Sequence, residues 1–203
     1  MKNTIQKDFA DIKGQYHVKR ALEVAVVGGH DVLLIGGQKS GKTMIKERIN
    51  TISDTPISIY EYLPCPCGHF TDPKKECFCT PFEILKHLAK IPYNLDTIDI
   101  HVEVPVLTYN QMMNKRTGET SADIKARVLQ AKKNYKPTEK DLEKEGEELL
   151  KMAILEIGFN ARSYYKVINV AGTIAQMEGK KTIEASHISE AIGYRSLDRN
   201  LWA

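Results

Sequence analysis

The chain has 203 residues, 42% hydrophobic and 27% charged, with a formal charge of +3. That length holds one ordinary domain or two small ones, and that balance suits a soluble protein with a buried core. No run of about 18 apolar residues occurs, which excludes a membrane-spanning helix, and the mild charge permits nucleic-acid contact without arguing for it.

Met1 to Asp11 is polar and lacks the apolar stretch of a secretory signal, so the expected compartment is the cytosol. Val18, Ala21, Leu22, Ala25 and Val26 recur at helical spacing, and Gly28-Gly29 stops that helix. Asp31 to Gly36 reads as a short buried strand running into a glycine-rich turn. A helix follows from Gly41 with Ile45, Ile49 and Ile52 on one face. Ile57 to Tyr62 alternates like a strand and leads into the cysteines. Thr80-Pro-Phe-Glu83 is a capping box with proline at the first helical position, predicting a helix that buries Phe82, Leu85 and Leu88. Ile98 to Val104 is the third expected strand, ended by Pro105.

Beyond it the chain reads as helical. Residues 106–119 form a linker. Thr120 with Asp123 caps a helix carrying Ile124, Val128 and Ala131. Thr138 with Asp141 repeats the device before Leu142, Leu149, Leu150, Ala153 and Ile154. Gly158 and Gly179 close two helices in the left-handed conformation, and Ser186 caps a last one. The expected fold is α/β: a three-stranded parallel P-loop core over residues 1–105, then an all-helical part over 120–203.

Gly36-Gly37-Gln38-Lys39-Ser40-Gly41-Lys42-Thr43 matches G-x-x-x-x-G-K-[ST] between a strand and a helix, the context that gives the pattern its meaning. The glycines let the backbone wrap phosphates, and the next helix points its free N–H groups at the anion. Lys42 reaches terminal phosphates and the Thr43 hydroxyl suits Mg²⁺. A glycine-rich turn that binds nothing is the plain alternative.

All four cysteines lie between Cys65 and Cys79. Cys65-x-Cys67 and Cys77-x-Cys79 bracket nine residues, and four thiolates suit a closed structural Zn²⁺ site, with His69 as a substitute ligand. Free thiols or a disulfide are the alternatives. Tyr60, Tyr62 and Phe70 near this element either stack on bases or pack into the core.

Several segments together, in order and over most of the chain, resemble the magnesium-chelatase-like AAA+ ATPases of the ComM and magnesium chelatase subunit I type. They are Asp8 to Gln15, Lys19 to Glu23, Gly28 to Gly36, Cys65-Pro-Cys-Gly68, Cys77 to Pro81 and Leu95 to Pro105. Gly118 to Ser121, Phe159 to Tyr164, Thr173-Ile-Ala175 and Tyr194 to Arg199 with Trp202 complete the series.

The resemblance implies ATP or ADP with Mg²⁺, a lid following the core, and assembly with itself or a full-length relative, with DNA a possible partner. It also implies strand order 5-1-4-3-2, of which 5, 1 and 4 are left as one contiguous block. The stretch that separates phosphate loop and cysteines in the family is almost wholly missing here, and the Walker B acidic pair goes with it. Leu63 stands in place of the sensing Asn, Thr97 in place of the finger arginine and Gly172 in place of a later arginine, whereas Arg162 matches the lid arginine.

Glu61 is the one carboxylate placed to substitute for the missing acids, against the plainer reading of a surface glutamate. The expected activity is nucleotide binding with weak or absent hydrolysis. The alternative is a zinc-containing nucleic-acid or protein interaction module with a relic loop.

Overall fold

The computed structural model describes residues 7–93, 95, 97–113 and 118–198. Strands β1 (Val32–Ile35), β2 (Ile59–Tyr62) and β3 (Ile100–Glu103) form a parallel sheet in the order β2-β1-β3. This is the contiguous block the resemblance implies, with the first strand in the middle. Val32 stands beside Ile59 and Ile100, and Ile35 beside Tyr62 and Glu103. β1 is apolar at every position and buried throughout, as a central parallel strand covered on both faces must be.

The helices among the described residues are α1 (Tyr16–Gly28), α2 (Lys42–Ile49), α3 (Pro81–Leu88), α4 (Tyr109–Met113), α5 (Ser121–Ala131), α6 (Lys144–Ile157), α7 (Ala161–Met177) and α8 (Ala185–Gly193). One face of the sheet, with Val32, Leu34, Ile100 and Val102, joins a continuous core that runs through α1 and on into α5 to α8. The other face is thinner. Leu33, Ile35 and Ile98 are covered there by Tyr60, Tyr62, Ile91, Tyr93, Leu95 and Leu197. Arg127 on α5 fastens the helical part to the sheet side, bonding Glu23 of α1 at 2.5 and 3.0 Å.

Local chemistry fixes most boundaries. Thr80 accepts from the Glu83 N–H while Glu83 accepts from the Thr80 N–H, so the expected box starts α3. Thr120 accepts from the Asp123 N–H and starts α5 over buried Ile124, Val128 and Ala131. Gly158 (φ +81°) and Gly179 (φ +68°) hold the left-handed conformation at or just past the ends of α6 and α7.

Six expectations need correction. α3 turns Ile84 inward and leaves Phe82 71% exposed, with Leu85 also exposed: its inner side meets Tyr62 and Leu63 through His87, and nothing among the described residues covers Phe82 and Leu85. The third strand starts at Ile100, since Ile98 donates into a turn at Leu95. α2 ends at Ile49, and Ile52 is buried beyond it. The Thr138–Asp141 box closes a single 3-10 turn, and α6 begins after Glu143. Glu184, paired with the His187 ring, caps α8, so Ser186 lies inside the helix. The stretch read as a linker contains the short α4. Arg199 and Trp202 lie outside the described residues.

Candidate functional site

The loop Gly36 to Thr43 leaves the buried end of β1 and turns into α2 with Gly41 at the N-cap. Gly41 has φ +97°, a conformation that side chains resist, and the space where its Cβ would stand is open. Lys39 also has a positive φ, +65°. The first N–H groups of α2, those of Lys42, Thr43 and Met44, have no acceptor within the helix, which is the donor set an anion needs.

Lys42 extends over this concavity and donates to the Gly36 and Gly37 carbonyls at 2.6 and 2.8 Å. Burial lowers its pKa and the Glu61 carboxylate partly offsets the shift. Gly36, Gly37, Gln38, Lys39, Ser40, Gly41, Lys42 and Thr43 thus form one cradle, and the residues present fit a polyphosphate. The Thr43 hydroxyl donates to Glu61 Oε2 at 3.2 Å. Glu61 is therefore held against the hydroxyl that suits Mg²⁺. Among the described residues it is the one acid lining the cavity of about 420 Å³ at that mouth, where Leu63 forms part of the wall.

A second cavity, of about 520 Å³, opens on the other flank of the loop beside Met44, Val106 and Leu107. Gln15 borders it and is buried; its side-chain amide donates to the Ser40 and Pro105 carbonyls, both at 3.0 Å. In the sequence Gln15 stands out only as the end of the Asp8 to Gln15 segment; its tie between the phosphate loop and the post-β3 segment depends on the turn at Gly14-Gln15, both at positive φ.

Arg162 sits in the first turn of α7. One turn on, Lys166 bonds the Thr97 carbonyl and Asp99, next to the start of β3. The phosphate loop follows the opposite end of the parallel sheet, and Arg162 is not among the residues that line the two cavities flanking it. Burial works against ionised Asp99, but His30 and Lys166 outweigh it and hold its pKa at about 2. Gly172 has a physical reason to depart from arginine: a Cβ there would stand 2.3 Å from the Pro137 carbonyl oxygen.

The cysteine Sγ atoms form one cluster, all within 4.8 Å of one another. Cys65 to Cys67, Cys65 to Cys77 and Cys67 to Cys77 measure 3.4, 3.7 and 3.6 Å. A tetrahedron of thiolates about 2.3 Å from zinc has S–S edges of about 3.8 Å, so the cluster has the dimensions of such a site. The four thiols are free, with no pair at bonding distance. The His69 backbone N–H, with help from the neighbouring thiols, lowers the Cys67 pKa to about 6.

His69 itself is not in the cluster; its Nδ1 lies 3.7 Å from Asp72. Tyr60 packs on Tyr93, and Tyr62 stacks on His87 while its hydroxyl donates to the His87 carbonyl, so both rings serve packing.

These features define a P-loop protein with a four-cysteine cluster just past the end of the strand beside the loop. The family profile described as "Magnesium chelatase, subunit ChlI" matches residues 8–61 and 55–112, and that described as "Magnesium chelatase, subunit ChlI C-terminal" matches 118–195. The chain belongs to this magnesium chelatase ChlI family.

Among curated proteins it is 30% identical over 156 residues to "Competence protein ComM" of Haemophilus influenzae, covering 68% of this chain and 30% of that protein. "Uncharacterized protein YifB" of Salmonella typhimurium gives the same identity and coverage. YifB of Escherichia coli is 22% identical over 317 positions, covering 97% of this chain and 62% of the relative. That alignment is longer than the chain itself, so a long stretch of the relative stands opposite a gap. The chain thus spans about a third of the first two relatives and fits the family with an internal deletion. No described helix is long and apolar enough to cross a membrane.

Proposed function

We propose that this protein binds ATP or ADP with Mg²⁺ at Gly36 to Thr43 and hydrolyses it slowly or not at all, serving in the cytosol as a nucleotide-dependent switch or assembly partner. The observation that carries the reading is the complete phosphate loop, set between buried β1 and the N-terminus of α2, with Lys42 over the cradle. Lys42 would hold the terminal phosphates, and Thr43 with Glu61 the metal. Bound Mg²⁺ supplies charge neutralisation across the phosphates. Residues 1–105 would form the nucleotide part, 106–119 a linker and 120–203 the lid.

Slow turnover follows from what is missing. An arginine finger is worth about 10³–10⁵ in comparable phosphoryl transfer, and Thr97 stands in its place. Leu63 cannot sense a phosphate by hydrogen bonding. Glu61 is spoken for by Thr43, which suits a metal-holding role better than activation of water. The second reading, an interaction module with a relic loop, has Phe78 and Phe82 in its favour, both exposed beside the cysteines.

Calorimetry with ATP and ADP, with and without Mg²⁺, separates the two. Lys42→Ala is expected to weaken binding at least tenfold; equal affinities for mutant and wild type would refute nucleotide binding at the loop. Steady-state turnover within the ordinary enzyme range of about 1–10³ s⁻¹ would overturn the slow-hydrolysis part, and Glu61→Gln would then show whether that residue is responsible.

A further inference from the structure

We infer that the four-cysteine element is a second wall of the nucleotide site, so that metal held by the cysteines and nucleotide in the cavity strengthen each other's binding. This rests on the nucleotide reading above. The cavity of about 520 Å³ is bounded on one side by the phosphate loop and on the other by His69, Asp72, Lys74 and Lys75 of the cysteine element. Its volume lies in the range of small-ligand sites. Among the described residues Lys13, Lys39, Lys74 and Lys75 border it against the single acid Asp72, a balance that suits a polyanion.

The two loops meet backbone on backbone: a Cβ on Gly37 would stand 2.7 Å from the Gly68 carbonyl oxygen. Gly68 takes φ +75° to make that approach. The Nδ1 of His69 is buried without a hydrogen-bond partner beside the cavity.

What positions this wall is the sulfur cluster. The loop between Cys67 and Cys77 has no helix or strand, and its own bonds are local, from the Asp72 N–H to His69 O at 2.9 Å and from the Lys74 N–H to Asp72 Oδ1 at 2.8 Å. Metal across the four thiolates ties both ends of the loop together. A tied loop loses less entropy when it closes on a ligand than a loose one does. The coupling must also run in reverse, since bound nucleotide retains the metal to the same degree.

The test titrates ATP by calorimetry into zinc-loaded protein, into protein stripped of metal and exchanged into chelator-free buffer, and into zinc-loaded Lys74→Ala/Lys75→Ala. Binding about tenfold weaker in the stripped protein and in the double variant, with zinc content unchanged in the latter, is the expected result. Saturating ATP should also slow zinc transfer to a chromogenic chelator, with Lys42→Ala as the control for zinc drawn off by free ATP. Should stripping unfold the protein, the double variant and the release rate decide alone. ATP affinity that depends on Lys42 but is equal in all three samples overturns this inference and leaves the nucleotide reading standing. Absence of ATP binding in loaded wild type overturns both.

Discussion

The two edges of the sheet are finished in opposite ways. On the outer side of β3, His101 donates its N–H to the Tyr194 carbonyl at 2.7 Å and pairs with Arg195 as a short parallel bridge. Arg195 is 1% exposed; its guanidinium reaches the Ile98 and Asp99 carbonyls and takes both oxygens of Asp198 at 2.8 and 2.9 Å. On the outer side of β2 nothing comparable exists among the described residues. Ser58 and Tyr62 give their carbonyls to β1, so the alternation of a parallel ladder turns the N–H and C=O of Ile59 and Glu61 outward. The chain seals one edge with its own C-terminal residues and a buried charge. It leaves the other, where the resemblance puts the missing strands, to the segment that carries Glu61 and the cysteines. One edge is sealed by the fold; the other borders the candidate site.

The sharpest way to break this contrast is Arg195→Ala. The variant leaves two carbonyls and the Asp198 carboxylate without their partner in a buried place, and breaking one half of a buried ion pair costs about 3–5 kcal/mol. Denaturant unfolding should show a loss of that size, while Glu61→Gln on the open edge should lose well under 1 kcal/mol. Equal losses would mean that the C-terminal seal contributes nothing special.

A smaller effect comes from His101, 1% exposed, whose ring nitrogens make no well-formed hydrogen bond among the described residues. Burial first, and then the Arg195 charge, push its pKa down to about 3. The fold thus refuses a proton that the unfolded chain accepts below its ordinary value of about 6.5. Stability from this group is fully present above that value and falls as pH drops towards 3, by about 1.4 kcal/mol per pH unit. Urea unfolding at pH 7, 5.5 and 4.5 should show the slope in wild type and a flatter profile in His101→Leu. That window lies above the range near 2–4 where Asp99 titrates. Identical profiles would remove His101 from the account.

The contrast also sorts what the sequence discloses from what it hides. The phosphate loop and the Thr80 and Thr120 caps are legible because each is decided within a few residues by backbone donors and glycine conformations. The strand order came only from the resemblance, since nothing in a four-residue apolar run names its neighbour. Glu61 was legible as a lone carboxylate, but its bond to Thr43 depends on how β2 lies beside β1. Arg195 stood in the sequence as part of a matching tail; its role as an edge seal joins residues almost a hundred positions apart and leaves no periodic trace. The meeting of Gly37 with Gly68 hides for the same reason. α3 misled because an amphipathic pattern reports a stripe and not whether anything packs on it.

The smallest expected effect concerns the open edge itself. Unpaired strand groups invite another chain, and this edge has neither proline nor lysine across Ile59–Tyr62. Only Ile59 and Glu61 face outward, however, so a second copy gains few hydrogen bonds and the association should be weak, seen as a dimer only at high protein concentration. Ile59→Pro tests this cleanly for a reason specific to the register. The Ile59 N–H points away from β1, so proline costs no bond inside the sheet while removing a donor from the outer edge. Ile59 is 7% exposed, so unfolding must be measured alongside to show that the variant stays native. Sedimentation should find wild type partly dimeric and the variant monomeric. A strictly monomeric wild type means that the edge is blocked by its own surroundings. A dimer indifferent to Ile59→Pro moves the contact elsewhere, and the exposed Phe82 and Leu85 of α3 are then the first surface to mutate, because an apolar stripe without a partner is the remaining feature on that side that gains from being covered.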